Sequence, residues 1–210
     1  MDWIAWHDGY ADPTTRIAQR LPVVQAHLRS FLDRCDAPTI RAVALCSGSG
    51  ADVLPVLAEH PAGRRVRARL VESDAELAER ARAAARAAGL EGVEVVTGDA
   101  STTDAVVGAV PADLVLVCGV FGNISDADVE RTVRALPQLC SEGATVLWTR
   151  HRGEPDLTPS IRAWLGEAGF AERAFDSSGT GGFGVGSHEL RGEPQPLRTG
   201  VRLFTFIRAS

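Results

Sequence analysis

The chain has 210 residues and a net charge of −5, with 45% hydrophobic, 23% charged and 6% aromatic residues, proportions suited to a folded α/β domain. All 22 basic residues are arginine, which excludes chemistry built on a lysine amine: an internal Schiff base, a Walker A phosphate lysine or the strand lysine of protein kinases. The acidic balance, and the lack of any apolar run approaching the roughly 20 residues of a membrane span, argue against nucleic acid and membrane as partners.

Taken in chain order, the punctuation alternates. Residues 1–36 read as an N-terminal helical cap: Ile17, Leu21, Val24, Leu28 and Leu32 recur at helical spacing, and Pro22 is expected to begin a new segment. Residues 37–210 read as a single Rossmann-like core, and no linker divides the chain. An apolar run from Ile40 to Cys46 predicts a strand, closed by Ser47-Gly48-Ser49-Gly50, and a helix runs from Ala51 to about His60. Val66 to Glu72 predicts the second strand. Asp74 stands at the N-cap and Gly89 at the C′ position of the alanine-rich helix that follows.

The alternation continues with a strand over Val93–Thr97 and a short helix over Ser101–Gly108. Ala112–Cys118 is nearly all apolar, as in a central parallel strand covered on both faces. Helices are predicted over Asp126–Leu139 and Ser160–Ala168, with a strand over Ala144–Thr149 between them and closing strands over Phe170–Phe175 and Val201–Ile207. The order implies a doubly wound, mostly parallel seven-stranded sheet with helices on both faces. Between the closing strands, residues 177–199 read as a Gly/Pro-rich loop with five glycines from Ser177 to Ser187, either a surface loop or a mobile cover over a pocket.

Ligands of such sheets bind beyond the carboxyl ends of the strands, near the reversal of strand order. After the first strand, Gly48 and Gly50 permit a tight turn and a close backbone approach. The dinucleotide pattern fails, because its third glycine falls at Val53, so a cofactor without a pyrophosphate fits better than NAD or FAD. Glu72, after the second strand, suits the hydroxyls of a ribose. Gly98-Asp99-Ala100, after the third, adds another acid beside a permissive glycine. Together these three strand ends point to a nucleoside.

At these residues the sequence resembles the class I S-adenosylmethionine-dependent methyltransferases, from about Ile40 to Thr149. The resemblance implies S-adenosylmethionine as cofactor. Ser47, Gly48, Ser49 and Gly50 would wrap its amino-acid part, Glu72 with Ser73 its ribose, and Asp99, between Gly98 and Ala100, its adenine amine. The fourth motif, Asp113 to Gly119, would line the transfer site with Cys118 and Gly119 at its end. Two positions depart from the family: the usual acid inside strand one falls at Ala44, and the first glycine falls at Cys46. Some other group must then anchor the cofactor's amino group, or a backbone carbonyl suffices.

Candidate catalytic residues are few. Asn123, the only asparagine, is placed to hydrogen-bond a substrate or to close a turn. His151 follows strand five on the ligand side, flanked by Arg150 and Arg152, where an anionic substrate would be sought. His7 and Tyr10 lie in an aromatic N-terminal cluster that, by the resemblance, would fold over the cofactor, or else forms a hydrophobic cap on the sheet with a solvated histidine, while His188 in the glycine-rich stretch is a weaker candidate. Phe121 is read either as a pocket wall or as core. The expectation is methyl transfer to a small molecule. The alternatives are a catalytically inactive nucleoside-binding module and a nicotinamide-dependent oxidoreductase. Widely spaced Cys35, Cys46, Cys118 and Cys140 without a CxxC pair, and a start without a signal-like leader, suggest a cytoplasmic protein; a homodimer is left open.

Overall fold

In the computed structural model, which describes Ile4, residues 8–179 and residues 181–207, seven strands form one mixed sheet in the order β3-β2-β1-β4-β5-β7-β6. They are β1 (Ile40–Leu45), β2 (Val66–Glu72), β3 (Val93–Thr97), β4 (Ala112–Val117), β5 (Cys140–His151), β6 (Phe170–Ser177) and β7 (Phe183–Leu190). The first five are mutually parallel, and β7 runs antiparallel to both β5 and β6.

Side chains alternate across a strand, and β1 shows how this builds two cores. Ile40, Ala42 and Ala44 pack on one face with Val24 and Leu28 of α1 (Arg16–Arg34), Leu54 and Leu57 of α2 (Leu54–Glu59), and Ala81 and Ala85 of α3 (Ala75–Ala87). Val43 and Leu45 pack on the other with Val129 and Val133 of α4 (Asp126–Ala135) and Ile161 and Leu165 of α5 (Thr158–Glu167). Helices therefore cover both faces, as the sequence implies. Asp74 caps α3 by accepting from Glu76 N–H and Leu77 N–H. Among the described residues, no helix is long and apolar enough to cross a membrane.

Three expectations are corrected. Pro22 starts no new segment; α1 runs through it. Pro22 is exposed, so the Ala18 carbonyl that loses its helical partner lies where water can replace it. The glycine-rich stretch is not a loop throughout. Its second half is β7, where Gly184 and Gly186 make room for large neighbours: an added Cβ at Gly186 would lie 2.3 Å from Trp148 Cε2, and one at Gly184 2.9 Å from Phe175. Val201–Ile207 does not join the sheet. It crosses the ligand edge, bridging Thr102 through Arg202 and Ile124 through Phe206, and it buries Leu203 and Phe204.

Candidate functional site

β1 pairs with β2 on one side and β4 on the other, so the turn after β1 stands where the strand order reverses. Cys46 begins that turn at φ +53°, a left-handed conformation that a side chain adopts only with strain. The residue at the family's first glycine position thus keeps the glycine-like backbone. Gly50 follows at φ +78°, where an added Cβ would lie 2.6 Å from Leu54 Cδ1.

Glu72 ties this turn to the next. Its Oε2 accepts from the Gly48 N–H at 2.8 Å, and its Oε1 accepts from the Asp74 N–H at 2.8 Å and the Ser73 hydroxyl at 3.4 Å. The side chain is buried and ties two loops together on the wall of a cleft.

That cleft holds about 570 Å³ of empty space, continuous with solvent, and is walled by Tyr10, Arg20, Cys46, Ser47, Asp52, Glu72, Ser73, Leu77, Cys118, Gly119 and Phe206. Three polar atoms of these residues are buried without a hydrogen-bond partner among the described residues: Arg20 Nε, Asp52 Oδ1 and Ser47 Oγ. Arg20 reaches it because Arg20, Val24 and Leu28 share the buried row of α1. Its Nη2 lies 3.4 Å from the Tyr10 hydroxyl. Burial raises the Asp52 carboxyl above its ordinary range, and the Arg20 charge opposes this. For Arg20, burial pulls the guanidinium down, but Asp52 and Tyr10 outweigh it and the net shift is upward. Burial likewise raises the Tyr10 hydroxyl. A buried guanidinium and a buried carboxyl group, each with an unsatisfied atom and both on the walls of one cleft, suit a zwitterionic group such as an α-amino acid.

A second hollow, with about 610 Å³ of empty space, shares Arg20 and Gly119 with the first and adds Arg16, Ile17, Gly122, Asn123, Thr149, Arg150, His151, Gly182 and Phe183. Gly119 is clamped between them: its N–H donates to Thr149 Oγ1 at 2.9 Å, and its carbonyl accepts from Asn123 Nδ2 at 2.7 Å. His151 closes β5. Its Nδ1 accepts from the Gly153 N–H at 3.2 Å, which places the proton of the neutral ring on Nε2. Burial, then the charges of Arg150 and Arg16, lower its pKa.

The sequence-derived candidates divide accordingly. Tyr10, Ser47, Glu72, Ser73, Cys118 and Gly119 wall the first cleft, and Asn123 and His151 wall the second. Gly48, Ser49 and Gly50 shape the turn behind. Gly98, Asp99 and Ala100 are not among the described wall residues. Gly98 N–H donates to the Glu72 carbonyl, Asp99 accepts from Ser101 N–H and lies 3.5 Å from Arg202, and Ala100 is core. Asp99 still stands close enough for its charge to act on the Cys46 thiol. Phe121 is fully buried, with its ring centroid 6.2 Å from that of Trp148. His188 is buried beneath Trp148, and Arg152 is neutralised by Asp156 at 2.9 Å. His7 lies outside the described residues. Sequence reasoning missed Arg20, Asp52 and Phe206. The first two left signals: a charge on the apolar row of a helix, and an acid two positions past the glycine turn.

No protein-family model matches the sequence, and no curated protein matches it. Among solved structures, the magnesium protoporphyrin IX methyltransferase of Synechocystis PCC 6803 with bound SAM is similar at a TM-score of 0.67 and 13% identity, over 90% of both chains. An O-methyltransferase family protein from Burkholderia thailandensis is similar at 0.63 and 18% identity, over 87% of this chain. The chain has a class I methyltransferase fold. A putative methyltransferase from Escherichia coli shares it at a TM-score of 0.60 and 16% identity, over 83% of this chain and 86% of its own. The match spans 59% of the Burkholderia protein's length. In this methyltransferase fold the cleft of Arg20 and Asp52 lies at the carboxyl ends of β1, β2 and β4.

Proposed function

We propose that this protein is an S-adenosylmethionine-dependent methyltransferase acting on a small-molecule acceptor. The observation that carries the reading is the pair of buried, incompletely satisfied groups, the Asp52 carboxyl and the Arg20 guanidinium, beside the glycine turn. Asp52 would hold the ammonium of the cofactor's amino-acid part, in place of the strand-one acid that Ala44 lacks. Arg20 would hold its carboxylate, while Glu72 and Ser73 would take the ribose hydroxyls. When bound, the cofactor supplies an electrophilic methyl group on a sulfonium, which leaves as a neutral thioether.

The chain's own contribution is mainly positioning. Gly119, fixed by Thr149 and Asn123, stands at the junction of the two hollows, so an acceptor in the second would meet a methyl group in the first. His151 offers that acceptor an Nε2–H donor, because its other ring nitrogen is engaged by Gly153. A cytoplasmic setting belongs to the same reading, supported by the free thiols of the four cysteines.

Calorimetric titration with S-adenosylhomocysteine tests it. Binding in the micromolar range is expected, and no heat from folded protein at high micromolar ligand overturns it.

A further inference from the structure

The second hollow has an unusual charge inventory for a chain of net charge −5. Three arginines, Arg16, Arg20 and Arg150, are among its described wall residues, and no carboxylate is. Arg16 is exposed at the start of α1, and its side chain makes no hydrogen bond or ion pair among the described residues. Arg150 is the opposite case, only 8% exposed near the end of β5. One Nη donates to the Phe121 carbonyl and the other stands 3.8 Å from Asp126, whose own side chain is 57% exposed. Its Nε is buried with no hydrogen-bond partner among the described residues. A guanidinium donates through a planar fork, and Arg150, with one of its donors unmet, is among the residues that wall the hollow. The His151 Nε2–H is a further donor on the same wall.

An uncharged acceptor would leave the positive charge of these arginines uncompensated, which counts most for the buried Arg150. We infer that the acceptor substrate carries an oxyanion, a carboxylate or a phosphate, held by Arg16 and Arg150 with His151 as an added donor. The inference rests on the methyltransferase reading for the word acceptor, but the anion site itself does not require it.

The test is a calorimetric titration with benzoate and phenyl phosphate, against the uncharged analogues benzamide and benzyl alcohol, with and without saturating S-adenosylhomocysteine. Either anion should bind while the neutral analogues do not, and the stronger of the two names the oxyanion. Arg16→Gln, a surface change, should weaken the anion about tenfold without altering affinity for S-adenosylhomocysteine. Arg150→Met should weaken it at least as much, and a thermal melt shows whether that variant still folds. The inference is overturned if neither anion binds at about 10 mM, if the neutral analogues bind equally well, or if Arg16→Gln has no effect. Failure of S-adenosylhomocysteine to bind would instead overturn the cofactor reading, and the titrations without it would still report on the anion site.

Discussion

Asp52 and Arg20 wall one cleft, and Asp52 Oδ1 and Arg20 Nε are buried without a hydrogen-bond partner among the described residues, while the charge of each residue acts on the other. Each unmet group costs about 1–3 kcal/mol in the folded protein. A zwitterion bridging them would offset both costs, so binding and stability should pull in opposite directions at these positions.

Asp52→Asn removes the buried charge at nearly constant shape. Its melting temperature without ligand should equal or exceed that of the wild type, while affinity for S-adenosylhomocysteine falls by about 1.5–3 kcal/mol, roughly ten- to a hundredfold. Unchanged affinity would remove Asp52 from the ligand site.

Acidification should mimic that substitution. Because the Asp52 pKa is raised in the folded protein, ionising it costs stability: its contribution is full below the unfolded value and lost as pH rises through the folded one. A bound ammonium favours the ionised form. Affinity should therefore drop as pH falls through the raised pKa, with proton release on binding in that range. Calorimetry in two buffers of different ionisation enthalpy counts the proton.

Glu72 behaves differently, since backbone amides donate to both of its oxygens. Glu72→Gln turns an amide NH₂ toward one of those donors. Stability should fall by about 1–3 kcal/mol and cofactor affinity should fall with it. A parallel loss in urea unfolding and in titration distinguishes this positioning role from the split expected of Asp52→Asn.

His188 makes the fold sensitive to acid. Its buried Nδ1 accepts from Trp148 Nε1–H at 3.2 Å. Burial pulls its pKa down to about 4, with Glu172 opposing and Arg162 adding to the fall. Between the ordinary value and 4 only the unfolded chain takes up the proton, so this stability is full above about 6.5 and lost as pH falls toward 4. The loss from pH 7 to pH 5 is about 2 kcal/mol. His188→Gln should flatten that part of the stability profile measured by urea unfolding.

The glycines of residues 177–187 should separate by position. Gly186→Ala drives a methyl group into the Trp148 ring and should cost about 1–3 kcal/mol or more. Gly179→Ala, with nothing within 4 Å of the added Cβ, should stay within about 0.5 kcal/mol. Equal effects in chemical denaturation would contradict the assignment of β7.

What the sequence determined by itself was whatever depends on neighbours along the chain. The alternation of strand and helix, the Asp74 cap, the glycine turn and Glu72 at the end of β2 follow from periodicity and turn chemistry, which act over a few residues. Tertiary structure decided what depends on long-range pairing. The register of β5 against β7 sets Trp148 opposite Gly186, and only that contact explains why a glycine-rich stretch becomes a strand. The C-terminal segment has a strand's composition but finds its partners on the ligand edge at Thr102 and Ile124. Arg20 and Asp52 share a cleft because α1 packs beside the turn after β1, bringing together charges that local sequence cannot relate. The anchor proposed in place of the acid that Ala44 lacks, Asp52, was present in the chain, and packing set it beside Arg20.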